Sequence, residues 1–217
     1  MDVQQLVQTI AIYSLPVLFA ITLHEAAHGY VARHYGDMTA YAQGRVSLNP
    51  LRHIDIVGTI VIPLLILLLS GGRFLFGWAK PVPVNYSALR RPKQHMALVA
   101  AAGPGANLAM ALGWAIALKL VIELPHNFFS APMAEMAKAG ILVNLVFMFL
   151  KLLPILPLDG GRIVASLLPS GAAWRYAKLE PWGLPLLLLL LVTNVLEFVL
   201  GPLVDASASL IRAFVLL

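Results

Sequence analysis

The sequence predicts an all-α polytopic membrane protein of about 4–6 transmembrane helices, with a re-entrant or short β segment near its functional site. Hydrophobic residues make up 60% of the 217 residues and charged residues 12%, whereas soluble domains average about 45–50% and about 25%. Several apolar runs reach the roughly 20 residues that a spanning helix requires. We see no internal repeat and no appended soluble segment, so we treat residues 1–217 as a single domain.

The N-terminal half begins with a long apolar run and continues with a short one. The first candidate helix extends from Leu6 to about Tyr35, and its flanks do not fit a secretory signal peptide, so we expect it to be retained. A polar stretch rich in turn-forming residues follows. Val57–Ser70 is strongly apolar, but its length of about 14 residues is short for a span. By length, a re-entrant or tilted hairpin is expected as much as a full crossing, but basic loops on both sides of the segment favour re-entry.

Three further membrane helices are predicted after a polar, proline-broken loop. Two long apolar runs lie at Ala97–Leu124 and Ala134–Leu153, and the last membrane helix is predicted at Pro185–Val204, within about residues 183–204. The tail, Asp205–Leu217, is predicted to form a short interfacial helix.

Composition excludes several classes of protein. Because there is no cysteine, a disulfide framework and a thiolate metal site are both impossible, and any zinc must be held by histidine and carboxylate. The formal net charge is +5, but the basic residues are scattered through short polar segments without interleaved aromatics. Nucleic-acid binding therefore has little support, and the expected surroundings are the lipid bilayer.

Charges in the loops indicate an orientation. Basic residues follow the first helix, the short apolar segment and the fourth apolar segment, whereas the connection 123–135 carries two glutamates. The positive-inside tendency places the basic loops in the cytoplasm, and with them the polar end of the first helix. The basic residues are Arg33, Arg45, Arg52, Arg73, Lys80, Arg90, Arg91, Lys93, Arg162, Arg175 and Lys178; the glutamates are Glu123 and Glu135.

The second half of the first helix contains "HEAAH", a His-Glu-x-x-His pattern. On a helix, His24 and His28 lie one turn apart on the same face, so their imidazoles can reach one zinc ion. Glu25 is rotated by about 100° and can act on water beside the metal without being a ligand. Ionisable residues in a membrane helix cost about 2.5–3.5 kcal/mol each, so a cluster of three indicates function.

A catalytic zinc usually takes three protein ligands, and Asp159 is the best candidate for the third. It lies in "LPILPLDGG", where Pro154 and Pro157 interrupt the helical ladder and two glycines allow close approach of other segments. A carboxylate at such a break can point into a protected cavity. The weaker candidates are His34, Asp37, Asp55, Glu123 and Glu197, which are better explained as helix-end, turn or isolated residues.

Five segments, taken in order, resemble the site-2 protease family of intramembrane zinc metalloproteases. They are "HEAAHGYVARHYGD", "GRVSLNPLRHID", "GWAKPVPVN", "AAGPGAN" and "LLPILPLDGGRI", and they cover most of residues 20–165. The resemblance is to the compact prokaryotic type without a PDZ or CBS domain. It implies a catalytic core of about residues 6–165 and a location in a prokaryotic inner membrane, with the site toward the cytoplasm.

The resemblance also implies the chemistry. It indicates a single zinc ion held by His24, His28 and Asp159, with Glu25 as general base and zinc-bound water as nucleophile. The substrates it implies are transmembrane proteins or peptides, which are cleaved within the membrane. Because a helical substrate hides its carbonyls, we expect "GRVSLNP" to hold it extended as an edge strand through Val46 and Leu48.

One residue departs from the family pattern. Family members usually carry asparagine eight residues before the ligand aspartate, and this chain has Lys151. A lysine ammonium could stabilise an oxyanion there, extend to the interface, or weaken zinc binding by repulsion. Asn144 lies one helical face further back and could compensate. Asn107, in "GPGAN", could hydrogen-bond across helices, with close packing or substrate binding as alternative roles.

Two other functions stay open at this point. Lys151 favours a catalytically impaired pseudoprotease that binds zinc and membrane proteins without cutting them. A zinc transporter would need acidic and histidine residues along several helices, whereas here they cluster at one place.

Overall fold

The computed structural model describes residues 3–62, 65, 80–125 and 127–216, and these are predominantly helical. The α-helices are α1 (Val3–His34), α2 (Thr39–Ala42), α3 (Pro92–Glu123), α4 (Ser130–Leu152), α5 (Asp159–Leu167), α6 (Ser170–Ala177), α7 (Glu180–Val192) and α8 (Val195–Leu216). Short 3₁₀ turns occupy Pro50–Arg52 and Tyr86–Ala88, and Ile56–Val61 forms a π-helical turn. Side-chain oxygens of Asn49, Asp55 and Asn85 cap these three turns by accepting backbone N–H groups.

Three helices are long and apolar enough to cross a membrane. They contain Val7–His34 of α1, all of α3 and all of α4, and the bent pair α7–α8 makes a fourth crossing if it counts as one span. The predicted polytopic, all-helical class is therefore confirmed for the described part of the chain, whereas the number of 4–6 spans stays a prediction. Their exposed leucine, valine and phenylalanine side chains suit contact with lipid rather than water.

Helices α3 and α4 form the centre of the molecule, and α1, α5 and α8 pack against them. Small side chains bring the helices close together, because Ala111 and Ala115 of α3 and Ala137 of α4 are buried at the interface. Gly140 of α4 faces Trp114, and any Cβ there would overlap the indole ring. Close packing of this kind supplies the van der Waals contact that holds membrane helices together.

The membrane helix predicted at about 183–204 is broken in the structure. Helix α7 ends at Val192 and α8 begins at Val195, and their axes differ by 80°. Asn194 occupies the break with a φ of 58°, the left-handed conformation that asparagine tolerates better than most residues. The expected separate interfacial helix at Asp205–Leu217 is instead the continuation of α8 as far as Leu216.

The short β alternative is also wrong within the described residues, none of which belongs to a strand. Segment 45–49 is irregular, and its backbone has no partner strand. The prediction that Val57–Ser70 re-enters the membrane falls mostly outside the described residues, where only 57–62 and 65 are placed.

Candidate metal centre

Helices α1 and α5 bring the three predicted ligands together. The Nε2 atoms of His24 and His28 are 3.1 Å apart. Asp159, the first residue of α5, places Oδ2 at 3.0 Å from His24 Nε2 and Oδ1 at 3.4 Å from His28 Nε2. Among the described residues, this is the only group of three or more potential metal ligands that lie within reach of one another.

Asn107 selects the tautomer of the neutral His24 ring. The Asn107 amide nitrogen Nδ2 lies at 3.2 Å from the Ala20 carbonyl and at 3.0 Å from Asn144 Oδ1, so it is the donor. Its Oδ1 must then accept, and it lies 2.6 Å from His24 Nδ1. His24 therefore donates from Nδ1 and presents a lone pair at Nε2, as a metal-binding histidine does.

His28 reaches the same state through the backbone. Its Nδ1 lies 2.7 Å from the Val99 carbonyl oxygen, which can only accept. When neutral, both imidazoles thus carry hydrogen on Nδ1 and direct Nε2 lone pairs toward the carboxylate of Asp159. Three acceptors that converge without a donor repel one another, and a cation at their centre relieves that repulsion.

Two further observations fit a bound metal. Oδ2 of Asp159 is buried and receives no N–H or O–H donor among the described residues. Gly103 of α3 lines the space between the imidazoles, and a Cβ there would lie 2.5 Å from His28 Nε2 and 2.6 Å from His24 Nε2. Two imidazole nitrogens and one carboxylate also form a donor set that suits zinc and leaves one position for water.

The segment between α4 and α5 explains how Asp159 reaches α1. Helix α4 ends at Leu152, and Pro154 and Pro157 keep the next residues out of the helical ladder. Gly160 then packs so tightly on the end of α4 that a Cβ would overlap the Leu152 carbonyl group. The carboxylate at the start of α5 also interacts favourably with the positive end of that helix.

Glu25 lies beside the two histidines and is 7% exposed. Its Oε2 accepts a hydrogen bond of 2.8 Å from the backbone N–H of Val82. The carboxylate is thus held by the segment 80–85, which lies in the loop before α3. The spacing of the motif predicted where Glu25 would lie but gave no sign of this partner.

The other predicted residues occupy different surroundings. The Lys151 side chain is partly buried at the end of α4, where its charge acts on Asp159. Asn107 is fully buried, and its polar atoms contact protein groups. Val46 lies against Gly29, where a Cβ would be 3.0 Å from Val46 Cγ2. Leu48 is 57% exposed and lines an apolar groove of about 700 Å³ between α1 and α3.

The weaker candidates for the third ligand are not part of this group. Asp37 accepts hydrogen bonds from the backbone N–H groups of Thr39 and Asn85, and Asp55 caps the π-helical turn. His34 ends α1, with its ring against Tyr35. Glu123 pairs with Lys119 at 3.8 Å, and Glu197 lies in the first turn of α8.

Sequence reasoning missed a group of residues around the loop before α3. Arg162 of α5 forms an ion pair of 2.6 Å with Glu180 and lies over the Tyr86 ring at 5.6 Å. Burial raises the pKa of the Tyr86 phenol above its usual range, although the Arg162 charge opposes the shift. The arginine after "LDGG" was visible in the sequence, but its partners could be found only from the fold.

Comparison with known proteins places these residues in a family. YwhC of Bacillus subtilis (strain 168), provisionally named a zinc metalloprotease, is 37% identical over 209 residues, which cover 92% of this chain and 89% of YwhC. Rip2 of Mycobacterium tuberculosis (strain ATCC 25618 / H37Rv), which has the same provisional name, is 30% identical over 180 residues. Rip2 of Mycolicibacterium smegmatis is 28% identical over 184 residues.

Each Rip2 match covers 83% of this chain and 66% of Rip2. No family model matches the chain, and no solved structure matches it either. The match to YwhC extends over nearly the whole of both proteins, so the aligned range spans the segments that carry the candidate metal centre. The chain belongs to the site-2 protease family of zinc metalloproteases.

Proposed function

We propose that this protein is an intramembrane zinc endopeptidase that hydrolyses peptide bonds of membrane-embedded substrates. The observation that carries the proposal is the convergence of two Nε2 lone pairs and one carboxylate, with Glu25 beside them, on helices long enough to span a membrane. In this proposal a single zinc ion is held by His24, His28 and Asp159. The zinc metalloprotease names of the relatives support the same assignment.

Bound zinc supplies Lewis acidity, which activates water at neutral pH and polarises a carbonyl group. Glu25 takes the proton from the attacking water and delivers it to the leaving amine, because its carboxylate lies beside the ligands without joining them. Asn107 and the Val99 carbonyl hold the two imidazoles in the tautomer that binds metal. Lys151 contributes positive charge near the reacting carbonyl, in the place of the family asparagine.

The substrate is a transmembrane segment that unwinds locally before cleavage, since helical hydrogen bonds conceal its carbonyls. Segment 45–49 lies beside the His-Glu turn of α1 and pairs with no strand among the described residues, so in this proposal it holds such a chain in extended form. Val46 lies beside the catalytic turn of α1 and Leu48 is exposed, so both could contact the substrate. The surrounding membrane is the prokaryotic inner membrane, and the site faces its cytoplasmic side, as the loop charges indicate.

The variant Glu25→Gln tests the proposal. We expect purified wild-type protein in detergent or liposomes to cleave a single-span substrate, and Glu25→Gln to lose at least about 100-fold in kcat. Zinc content should stay at the wild-type level, because glutamine at this position leaves all three proposed ligands in place. Both quantities are measured on the same preparation, by gel-based cleavage and by elemental analysis.

A matched control is Glu123→Gln, which changes an exposed glutamate at the other end of α3. It should keep both zinc and cleavage. Two results together would establish the pseudoprotease function instead. Wild-type protein would bind zinc but cut no substrate in a panel of single-span proteins, and Glu25→Gln would bind membrane proteins in cells as well as the wild type does. Zinc-free wild-type protein with full cleavage activity would exclude the metal-dependent mechanism.

A further inference from the structure

The loop before α3 contains an irregular segment, residues 80–85, that contacts the His-Glu turn of α1. We infer that this segment, called here the proline strap, positions the general base through one backbone N–H, that of Val82. The inference rests on the proposed function, in which Glu25 transfers protons. Val82 is thus a positioning residue, because it acts through Glu25.

The sequence of the strap, "KPVPVN", leaves few backbone donors. Pro81 and Pro83 have no N–H group, so Val82 has the only backbone donor between Lys80 and Val84. The flanking prolines also restrict the backbone φ angles of the strap. The single remaining N–H points to Glu25 Oε2 at 2.8 Å.

Both ends of the strap are fastened to other elements. Lys80 donates its N–H to the His53 carbonyl at 2.9 Å, and Arg45 donates from Nη2 to the Lys80 carbonyl at 2.8 Å. At the other end, Asn85 donates its N–H to Asp37 Oδ2 at 2.7 Å. Asp37 is 1% exposed, so this contact is shielded from water. The Val82 N–H is therefore held in place from both sides.

The Val82 side chain packs in the same region. A Cβ at Gly29 would lie 3.2 Å from Val82 Cγ1, so the strap lies directly on the helical turn that carries the motif. A hydrogen bond from a neutral donor to a buried carboxylate is stronger than one between neutral groups. The bond engages Oε2 and leaves Oε1 for proton transfer, so it restricts the carboxylate to one orientation.

The variant Val82→Pro removes this N–H donor. It introduces a residue type that the strap already contains on both sides, at Pro81 and Pro83. We expect kcat to fall about 10–100-fold, the loss that follows removal of one hydrogen bond to a charged group. The KM for a single-span substrate and the zinc content should change by less than about threefold, because neither the ligands nor the substrate contacts are altered. Cleavage kinetics and elemental analysis measure these quantities.

Val84→Pro is the matched control. It adds a third proline to the same strap, at a residue whose N–H has no acceptor among the described residues. We expect a change in kcat of less than about threefold. Val82→Ala keeps the N–H and loses only side-chain packing, so its kcat should lie between those of the wild type and Val82→Pro. Equal losses in Val82→Pro and Val84→Pro would overturn the inference.

A second measurement does not depend on activity or on metal. This measurement is hydrogen exchange of the Val82 amide, resolved by fragmentation of a peptide that contains the strap. Because the prolines on both sides of Val82 have no amide hydrogen, its exchange signal does not overlap with that of adjacent residues. In zinc-free protein, Glu25→Ala should accelerate exchange at Val82 by at least about tenfold, while the Asn85 amide, bonded to Asp37, keeps its wild-type rate. Unchanged Val82 exchange would contradict the inference.

These outcomes separate the inference from the proposed function. If wild-type protein cleaves and Glu25→Gln does not, the proposed function stands whatever Val82→Pro does. If Val82→Pro then retains wild-type kcat, the strap has no role in positioning Glu25. If wild-type protein cleaves nothing, the exchange experiment still decides whether Val82 holds the carboxylate.

Discussion

Two proline-containing segments approach the His-Glu turn of α1, and they contribute different groups. The segment 153–158 leads directly into Asp159, whose charged side chain it brings to the histidines. The proline strap, 80–85, brings a backbone N–H to Glu25. The sequence uses proline in both, but in the first it stops a helix and in the second it removes competing donors. Proline therefore has two different structural effects in the segments that contact this turn of α1.

The two segments also differ in how they are held. The first is fixed by close backbone packing, since Gly160 lies on the end of α4 and Gly183 lies against the Leu156 carbonyl. Tyr176 adds a hydrogen bond to the Pro154 carbonyl at 2.8 Å. The strap is fixed mainly by hydrogen bonds from separate loops. We therefore expect zinc affinity and stability to change little when a polar contact near the first segment is lost. Both should decrease when a side-chain atom is added at its closely packed glycines.

The largest effect is expected for Asp159→Ala, which removes the group that the first segment delivers. Two histidines alone leave the metal short of the usual three protein ligands. We expect zinc affinity to fall roughly 100-fold or more, beyond the roughly 10–100-fold loss typical of residues that only support a ligand. Cleavage should fall below detection. Zinc affinity is measured by competition with a chelator.

Asp205→Ala is the control for charge removal, because Asp205 is exposed on α8. It should bind zinc as the wild type does. Full zinc affinity in Asp159→Ala would show that the carboxylate near the histidines is not a ligand. The first segment would then supply no metal ligand, and the proposed difference from the strap would not hold.

Much of the fold could be predicted from composition and apolar length, because a chain in lipid must satisfy its backbone in helices. The break at Asn194 could not, since one left-handed residue interrupts a leucine-rich run that hydropathy treats as uniform. The β alternative failed because segment 45–49 has no partner strand among the described residues.

The centre of the site was more predictable than its surroundings. Helical periodicity placed His24 beside His28, and the helix break pointed to Asp159, since both are local properties of the sequence. The partner of Glu25 is a backbone N–H 57 residues away, and backbone groups have no signature in a sequence. The role of Asn107 in holding His24 likewise depends on helix packing that no single segment determines.

An intermediate effect is expected for Gly160→Ala, which tests whether packing fixes the first segment. The added Cβ would overlap the Leu152 carbonyl group, so the start of α5 must move. Overpacking of this kind costs about 1–3 kcal/mol of unfolding free energy. Because Asp159 is the preceding residue, zinc affinity should fall as well, by roughly 10-fold or more.

Gly171→Ala makes the same substitution on α6, where a Cβ would meet nothing within 4 Å. It should leave zinc affinity unchanged and could stabilise its helix by up to about 1 kcal/mol. Thermal unfolding and chelator competition compare the two variants. If both behave alike, close packing at Gly160 does not position Asp159.

The smallest effect is expected for Glu180→Gln, which removes an ion pair from α5, the helix that follows the first segment and begins with Asp159. Glu180 pairs with Arg162 at 2.6 Å, but their side chains are 39% and 29% exposed. Exposed ion pairs contribute less than about 1 kcal/mol, so we expect a small decrease in unfolding free energy and zinc affinity within about fivefold of the wild type. Arg162→Gln should cost more, because Arg162 also lies over the Tyr86 ring next to the strap. The kcat of both variants is measured at equal zinc content. If kcat falls further in Arg162→Gln than in Glu180→Gln, the first segment and the strap are coupled through this arginine. If the two kcat values are equal, each segment contacts α1 independently of the other.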